Sequence, residues 1–380
     1  MRALSPEFIA IRRDLHAHPE LAFEERRTSD LVAERLAAWG YQVHRGLGGT
    51  GVVGTLRKGG GSRSLGIRAD MDALPIQEKT GLDYASRHVG KMHACGHDGH
   101  TAILLCAARY LAESADFSGT LHLIFQPAEE NEGGALRMVD EGLFTLFPCD
   151  EVYALHNSPG LPVGQMAISP GPLMASFDRA TVTLRGRGAH GAMPHHGIDP
   201  MQCAASITLG LQSIVSREID ALKSAVITVG SIQAGEAYNV VPESAQLKIG
   251  VRTLDPRVRT LVEQRIREFI AAQAQSYQLQ AEVVYERKYP VLVNHAVQTE
   301  VLRQAAMRLV GADSVVERPP VMGSEDFAYM LQRCPGALVR SGNGPADGGR
   351  GLHNPKYDFN DCNLPYGAAF WSQLAQRFLC

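Results

Sequence analysis

The chain has 380 residues, with 45% apolar and 20% charged residues and a formal net charge of -3. That length can bury one large core or two moderate ones, and two domains is the better expectation. The charge balance excludes the basic field of a nucleic-acid binder. No apolar run reaches the roughly 18 residues of a membrane span. The opening residues, "MRALSPEFIAIRRDLH", lack the apolar stretch of a signal peptide, which makes the cytoplasm the expected location.

In chain order, Ser5-Pro6-Glu7 reads as a helix start, with Ser5 as cap and Pro6 in the first turn. Pro19 ends that helix. A second amphipathic helix runs to Trp39, with Gly40 closing it. "GVVGTLR" and "SLGIRAD" read as strands joined by Gly59-Gly60-Gly61. "TAILLCAARYLAE" is helical, "TLHLIFQ" a buried strand, "GALRMVDEGLF" a helix and "EVYALH" another strand. Alternating strands and helices imply an α/β sheet covered on both faces. The middle of the chain differs. Strand "RATVTLRGRG", helix "PMQCAASITLGLQSIVSRE", strands "SAVITVGSIQ" and "SAQLKIGVRTL", helix "RVRTLVEQRIREFIAAQAQ" and strand "AEVVYERKY" follow one another. That β-α-β-β-α-β order is ferredoxin-like and is placed at 177–290, inserted into a larger domain made of 1–176 and 291–380. The chain returns with helix "AVQTEVLRQAAMRLVG", strand "GALVRS", the loop "GNGPADGGRG" and a final helix after Pro365. Seven cysteines, an odd number without regular spacing, do not form a disulfide framework. Cys106 and Cys203 sit in helical apolar patterns as small core residues.

The chemistry-bearing residues fall at strand ends. Asp70 ends one strand, Glu129 and Glu130 follow another, His156 ends a third, and His353 follows "GALVRS" after a loop. Cys95 and His97 lie just before a helix. Ligands in an open α/β sheet bind outside the carboxyl ends of the strands, so these residues converge on one edge. Cys95 and His97 are two apart in an extended segment and can face the same way. A nearby helix N-terminus should favour the thiolate. Thiolate, imidazole and carboxylate together suit zinc or another first-row divalent ion. One Cys, up to three His and a carboxylate exceed the needs of one tetrahedral ion, which suggests two. The adjacent glutamates invite a division of labour: one binds metal, its neighbour stays free as a general base.

Other signals read as ordinary structure. "GLGGTG" fits G-x-G-x-x-G, yet it follows a helix and opens a strand, the reverse of a dinucleotide fold. His16 and His18 of "LHAHPE" read as a polar turn at a helix end. "PHHG" at 194–197 reads as a surface loop of the inserted domain. Ser324 of "GSEDFAY" reads as a helix cap. No G-x-S-x-G elbow occurs.

As an ordered set, "IRADMDALPI", "MHACGHDGHTA", "FQPAEENEGGA", "HNSPGLPVG", "GAHGAMPHHGIDP", "AGEAYNVVPESA", "MGSEDFAY" and "LHNPKYDFND" resemble the hippuricase and N-acyl-amino-acid amidohydrolase branch of the aminoacylase–carboxypeptidase metallopeptidases. The resemblance spans nearly the whole chain. It implies an α/β/α catalytic domain with a mixed sheet and an inserted lid and dimerisation domain, hence a homodimer. It implies two divalent ions (Zn, Mn, Ni or Co) held by Cys95, His97, Glu130, His156 and His353, with Cys95 as candidate bridge. Glu129 becomes the general acid/base and Asp70 a partner standing behind the ligands. His190 and Asn239 of the inserted domain meet the substrate. The implied reaction is hydrolysis of the amide of a small N-acyl-L-amino acid, such as hippurate or an N-acetyl amino acid, by metal-activated water. A dipeptidase or carboxypeptidase, or an amidase for another acyl conjugate, is the alternative enzyme; a non-catalytic metal-binding protein is the alternative of another class. The wider superfamily uses His-x-Asp where this chain has Arg68-Ala69-Asp70. Arginine cannot ligate a metal, so Cys95 and His97 must compensate. "GAHGAMPH" also replaces the commoner "GGHAAMPH" of the branch, which bears on lid contacts.

Overall fold

The computed structural model describes residues 1–130 and 132–380. The chain forms two compact units. One comprises Met1–Gly171, Val293–Pro319 and Asp326–Cys380; the other comprises Pro172–Leu292 and Pro320–Glu325. No sequence signal marked the short return of Pro320–Glu325 to the second unit.

The first unit is built on an eight-stranded mixed sheet in the order 42–47, 51–58, 119–126, 64–70, 151–158, 336–342, 166–167, 315–316. The central strands Gly119–Gln126, Ser64–Asp70, Glu151–Ser158 and Gly336–Gly342 run parallel. Their carboxyl ends therefore share one edge. Strand Gln42–Leu47, which sequence reading missed, pairs antiparallel with Gly51–Lys58. Strands 51–58 and 64–70 are consecutive but not neighbours, because Gly119–Gln126 inserts between them. That strand is buried on both faces. Leu121, Leu123 and Phe125 join the main apolar cluster, while His122 and Ile124 point to the opposite side, as the two-residue repeat of a strand requires.

Helices Ser5–Ala17, His97–Glu113 and Leu364–Phe378 fill the main cluster with Phe8, Leu15, Leu104, Phe370 and Trp371. Ser5 lies inside its helix rather than capping it, and its hydroxyl donates to the Met1 carbonyl. The expected single helix "GALRMVDEGLF" is two, Gly134–Asp140 and Leu143–Leu146, parted by Gly142 at φ 96°.

The second unit carries a four-stranded antiparallel sheet in the order 225–234, 244–253, 176–185, 280–287. Numbered along the chain these strands stand 2-3-1-4, with helices Pro200–Gly210 and Pro256–Ser276 after the first and third. Both helices start at Asp-Pro. Asp199 and Asp255 accept the Met201 and Arg257 amides at 2.8 Å, and the proline needs no donor partner in the first turn. The first helix is shorter than its apolar pattern suggested, giving way to a π-turn at Ile214–Glu218. Ser324 does not cap a helix; its hydroxyl accepts from Arg252 at 3.3 Å.

Candidate metal centre

The carboxyl edge of the parallel strands gathers the candidate donors. Helix His97–Glu113 starts there from Gly96, whose φ is 97°. A Cβ at Gly96 would collide with the Asn157 amide, so only glycine allows the "ACGHDGH" turn to approach the strand Glu151–Ser158. Asn157 then ties the two segments together. Its side-chain amide donates to the Cys95 carbonyl at 2.6 Å, and its oxygen accepts from the Tyr357 hydroxyl at 2.7 Å.

Among the described residues, four donor groups overlap here through Cys95 or His97: Cys95, His97 and His156; Cys95, Glu130 and His353; His97, Glu129 and Glu130; and Asp70, His97 and His100. Within each, the ligand atoms lie within 4.8 Å of one another. Cys95 belongs to two of the four and His97 to three. Its Sγ is 3.4 Å from Nε2 of His156, whose Nδ1 donates to the Asn157 carbonyl at 2.7 Å. Nε2 of His353 is 3.0 Å from a Glu130 oxygen. His353 sits at φ 62°, a left-handed conformation uncommon for a residue with a Cβ. Its backbone N–H donates to the Ala94 carbonyl at 2.8 Å.

The three histidines of "MHACGHDGH" have different fates. His97 bonds Asp72 through Nδ1 at 3.1 Å, and its buried Nε2 has no hydrogen-bond partner among the described residues. His100 has both nitrogens engaged. Nδ1 meets Asp70 at 2.6 Å, and Nε2 accepts from the Asn157 amides at 3.0 Å. His93 is buried beside His16, with ring centroids 6.4 Å apart.

Asp70 also accepts from Arg68 at 2.7 Å and lies 3.8 Å from Nε2 of His97. The carboxylate on Nδ1 of His97 is instead Asp72, which sequence reasoning missed. Its other oxygen accepts the backbone N–H of Glu130 at 2.9 Å. The only sequence cue was the repeated acid in "ADMD".

Burial pushes the Cys95 thiol well up, and Glu130, Glu129 and Asp70 push it further; a bound cation would act in the opposite direction, since a thiol ligates as the thiolate. For His97, burial works downward, but Asp70, Asp72 and Glu130 win and hold it up at about 10; a cation on Nε2 would replace that proton and answer the same carboxylates. Burial keeps His156 neutral, well below its ordinary value, the form in which imidazole ligates. The donor set, with its concentration of negative charge and the orphaned Nε2 of His97, fits divalent cations.

His16 is not a polar turn. It is buried, with Nδ1 2.8 Å from Asp98 and Nε2 3.3 Å from Glu78. Asp98 also pairs with the buried Arg12 at 3.0 Å. His18 does lie at the helix end, bonding the Asp14 carbonyl. "GLGGTG" joins two antiparallel strands. His195 and His196 are exposed in a short 3-10 turn.

His190 and Asn239 both lie in the second unit. His190 pairs with Val240 across a two-residue ladder, and Gly191 donates to the Asn239 carbonyl at 2.7 Å. Both side chains are exposed.

Residues 66–377 match peptidase family M20/M25/M40. The chain belongs to that family. Over 379 residues it is 41% identical to the hippurate hydrolase of Campylobacter jejuni, covering 99% of this chain and 97% of the relative. It is 39% identical to an N-acetyl-L-cysteine deacetylase of Bacillus subtilis, covering 100% and 90%. Among solved structures, a dinuclear metal-binding M20 peptidase from Bacillus subtilis superposes with a TM-score of 0.86 at 33% identity, covering 100% of this chain and 99% of that one. This M20 chain is a metal-dependent amidohydrolase, and its donor clusters stand where the parallel strands end. None of its helices is long and apolar enough to cross a membrane among the described residues.

Proposed function

We propose that the protein hydrolyses the amide bond of N-acyl-L-amino acids, of the hippurate or N-acetyl kind, in the cytoplasm. The observation that carries this reading is the position of Cys95, common to two donor triads, with Glu129 in a third that shares His97 and Glu130. The names of the relatives point the same way.

Cys95, His97 and His156 would hold one divalent ion, and Cys95, Glu130 and His353 a second. Such ions polarise a carbonyl and make water acidic enough to attack near neutral pH. The chain's own residues do the rest. Asp72 holds the ring of His97 and the amide of Glu130 in place. Glu129, 6% exposed, accepts the Asp326 amide at 3.4 Å. Its carboxylate takes the proton of the attacking water and later gives it to the leaving nitrogen, so one residue serves both halves of the reaction. Arg68 takes no ligand role. It donates to Asp70 and Gln126 at 2.7 Å and neutralises part of the buried acid. His190 and Asn239 are the residues we assign to substrate contact. We assign the unit that carries them the roles of lid and dimer contact, which makes the protein a homodimer.

The test is a turnover screen of hippurate, N-acetyl amino acids, other acyl conjugates and unblocked dipeptides. It is run on apo-protein reconstituted with Zn, Mn, Co or Ni in turn. Hydrolysis of acylated amino acids with any of these metals supports the reading. Preference for unblocked dipeptides would replace it with a dipeptidase.

A further inference from the structure

Glu25 and the glycine run Gly46–Gly51 have no place in the chemistry described so far, yet both bear on Pro127 and Ala128, the residues just before Glu129. Glu25 is fully buried. One of its oxygens accepts the backbone N–H of Ala128 at 2.8 Å, and the other accepts the Thr50 hydroxyl at 2.6 Å. Ala128 stands at φ 53°, in the left-handed region that residues with a Cβ seldom occupy. Its carbonyl accepts the Gly134 amide at 2.9 Å. Both backbone polar groups of this residue are therefore tied.

The glycine turn closes the other side. A Cβ at Gly48 would stand 3.3 Å from Cγ of Pro127 and 2.9 Å from Cγ of Met138. One at Gly51 would stand 3.2 Å from Cδ of Pro127. Glycine here lets the turn's backbone press against the proline. The run that resembles a dinucleotide fingerprint packs against Pro127 instead.

We propose that Glu25, Thr50 and the turn Gly48–Gly51 form a cradle that locks Ala128 in its left-handed conformation and so aims the side chains of Glu129 and Glu130. Glu25 is a positioning residue; it touches no reacting atom. The consequence for turnover rests on the reading of Glu129 as general acid/base, while the lock itself does not. Removing a buried carboxylate that served only stability would lower the melting temperature and leave the loop and the rate constant alone.

The experiment compares Glu25→Ala, Glu25→Gln and Thr50→Val in the metal-reconstituted full chain. It reads backbone hydrogen exchange of the segment around Ala128, together with kcat and KM. Loss of the acceptor should speed exchange in Glu25→Ala by about 10-fold or more. Its kcat should fall by about 10-fold or more with KM within about 3-fold, since misplacing a reacting group by 1 Å can cost about 100-fold. Glu25→Gln still offers an oxygen to the Ala128 amide and should stay within about 3-fold of wild type in each readout. Thr50→Val removes one donor without burying a new polar atom, keeps the test alive if Glu25→Ala does not fold, and should show the same changes at about 3-fold. Wild-type exchange in a folded Glu25→Ala or Thr50→Val overturns the lock. Faster exchange with unchanged kcat overturns its role in aiming Glu129. Glu25→Gln as impaired as Glu25→Ala does so too, because charge and not the acceptor would then matter. Failure of the general-base reading shows elsewhere, as undiminished turnover in Glu129→Gln, and leaves the exchange result standing.

Discussion

Asp72 lies 3.1 Å from Nδ1 of His97, and its second oxygen accepts the Glu130 amide at 2.9 Å. One carboxylate thus sets the ring of one candidate ligand and the backbone of another, on segments 33 residues apart in sequence by the difference of their numbers. Nδ1 engaged in this way leaves Nε2 of His97 to face the donor cluster.

Asp72→Ala should therefore weaken metal binding even though Asp72 is not itself assigned as a ligand. Loss of such a supporting carboxylate typically costs about 10–100-fold in affinity or activity. Metal content after dialysis against graded chelator reads this directly. Wild-type retention of both ions would show that the ring of His97 is fixed by packing alone.

Cys95→Ser should lower bound metal and turnover together. The thiol, raised first by burial and then by Glu130, Glu129 and Asp70, is a poor nucleophile without a cation, since reactivity follows the thiolate. Full metal content with abolished activity would instead support a covalent thiol mechanism.

The gathering of Cys95, His97, Glu130, His156 and His353 could be read from the chain because parallel strands deliver their carboxyl ends to one edge. What escaped was the choice between like groups. Asp70 and Asp72 are two apart and chemically identical. Only the fold decides that one meets His100 and Arg68 while the other meets His97. His97 and His100 sit one helical turn apart, and the difference between them is Asn157, far along the chain, which occupies Nε2 of His100. The burial of His16 escapes sequence reading for the same reason. Its partners Asp98 and Glu78 are 82 and 62 residues away, beyond any local pattern. The split of "GALRMVDEGLF" is different, since Gly142 was in plain view and its left-handed φ ends the first helix.

The His16 network carries a pH signature in stability. Burial lowers the His16 pKa, but bonds to Asp98 and Glu78 outweigh it and raise it from 6.5 to about 9. A raised folded-state value means that the contribution is full below pH 6.5 and is lost as pH rises through about 9. A pKa difference of one between folded and unfolded chains is worth about 1.4 kcal/mol, so the contribution is on the order of 3 kcal/mol. Thermal melts of wild type and His16→Gln across this window check it. The wild-type advantage should shrink steadily from pH 6.5 to pH 9. A constant gap would mean that His16 stays neutral in the folded protein.

Glu129 and Glu130 are identical in chemistry and adjacent in sequence, yet their surroundings differ. Glu130 meets His353 at 3.0 Å and shares a donor triad with Cys95. Glu129 stands with His97 and Glu130 but takes the Asp326 amide. Glu130→Ala should therefore reduce the occupancy of at least one ion. Glu129→Gln should leave both ions in place, since the amide keeps the size and loses only the ability to take a proton. General acid–base catalysis is typically worth about 10²–10⁴-fold. One residue here serves both the attack and the leaving nitrogen, so the upper end is expected. The loss should fall on kcat, because the groups assigned to substrate contact are untouched. Metal analysis beside steady-state kinetics decides the assignment. A Glu129→Gln protein that keeps more than about a tenth of its kcat lies far outside these magnitudes and removes Glu129 as the base. One that has lost an ion exchanges the two roles, making Glu129 the ligand and Glu130 the candidate base.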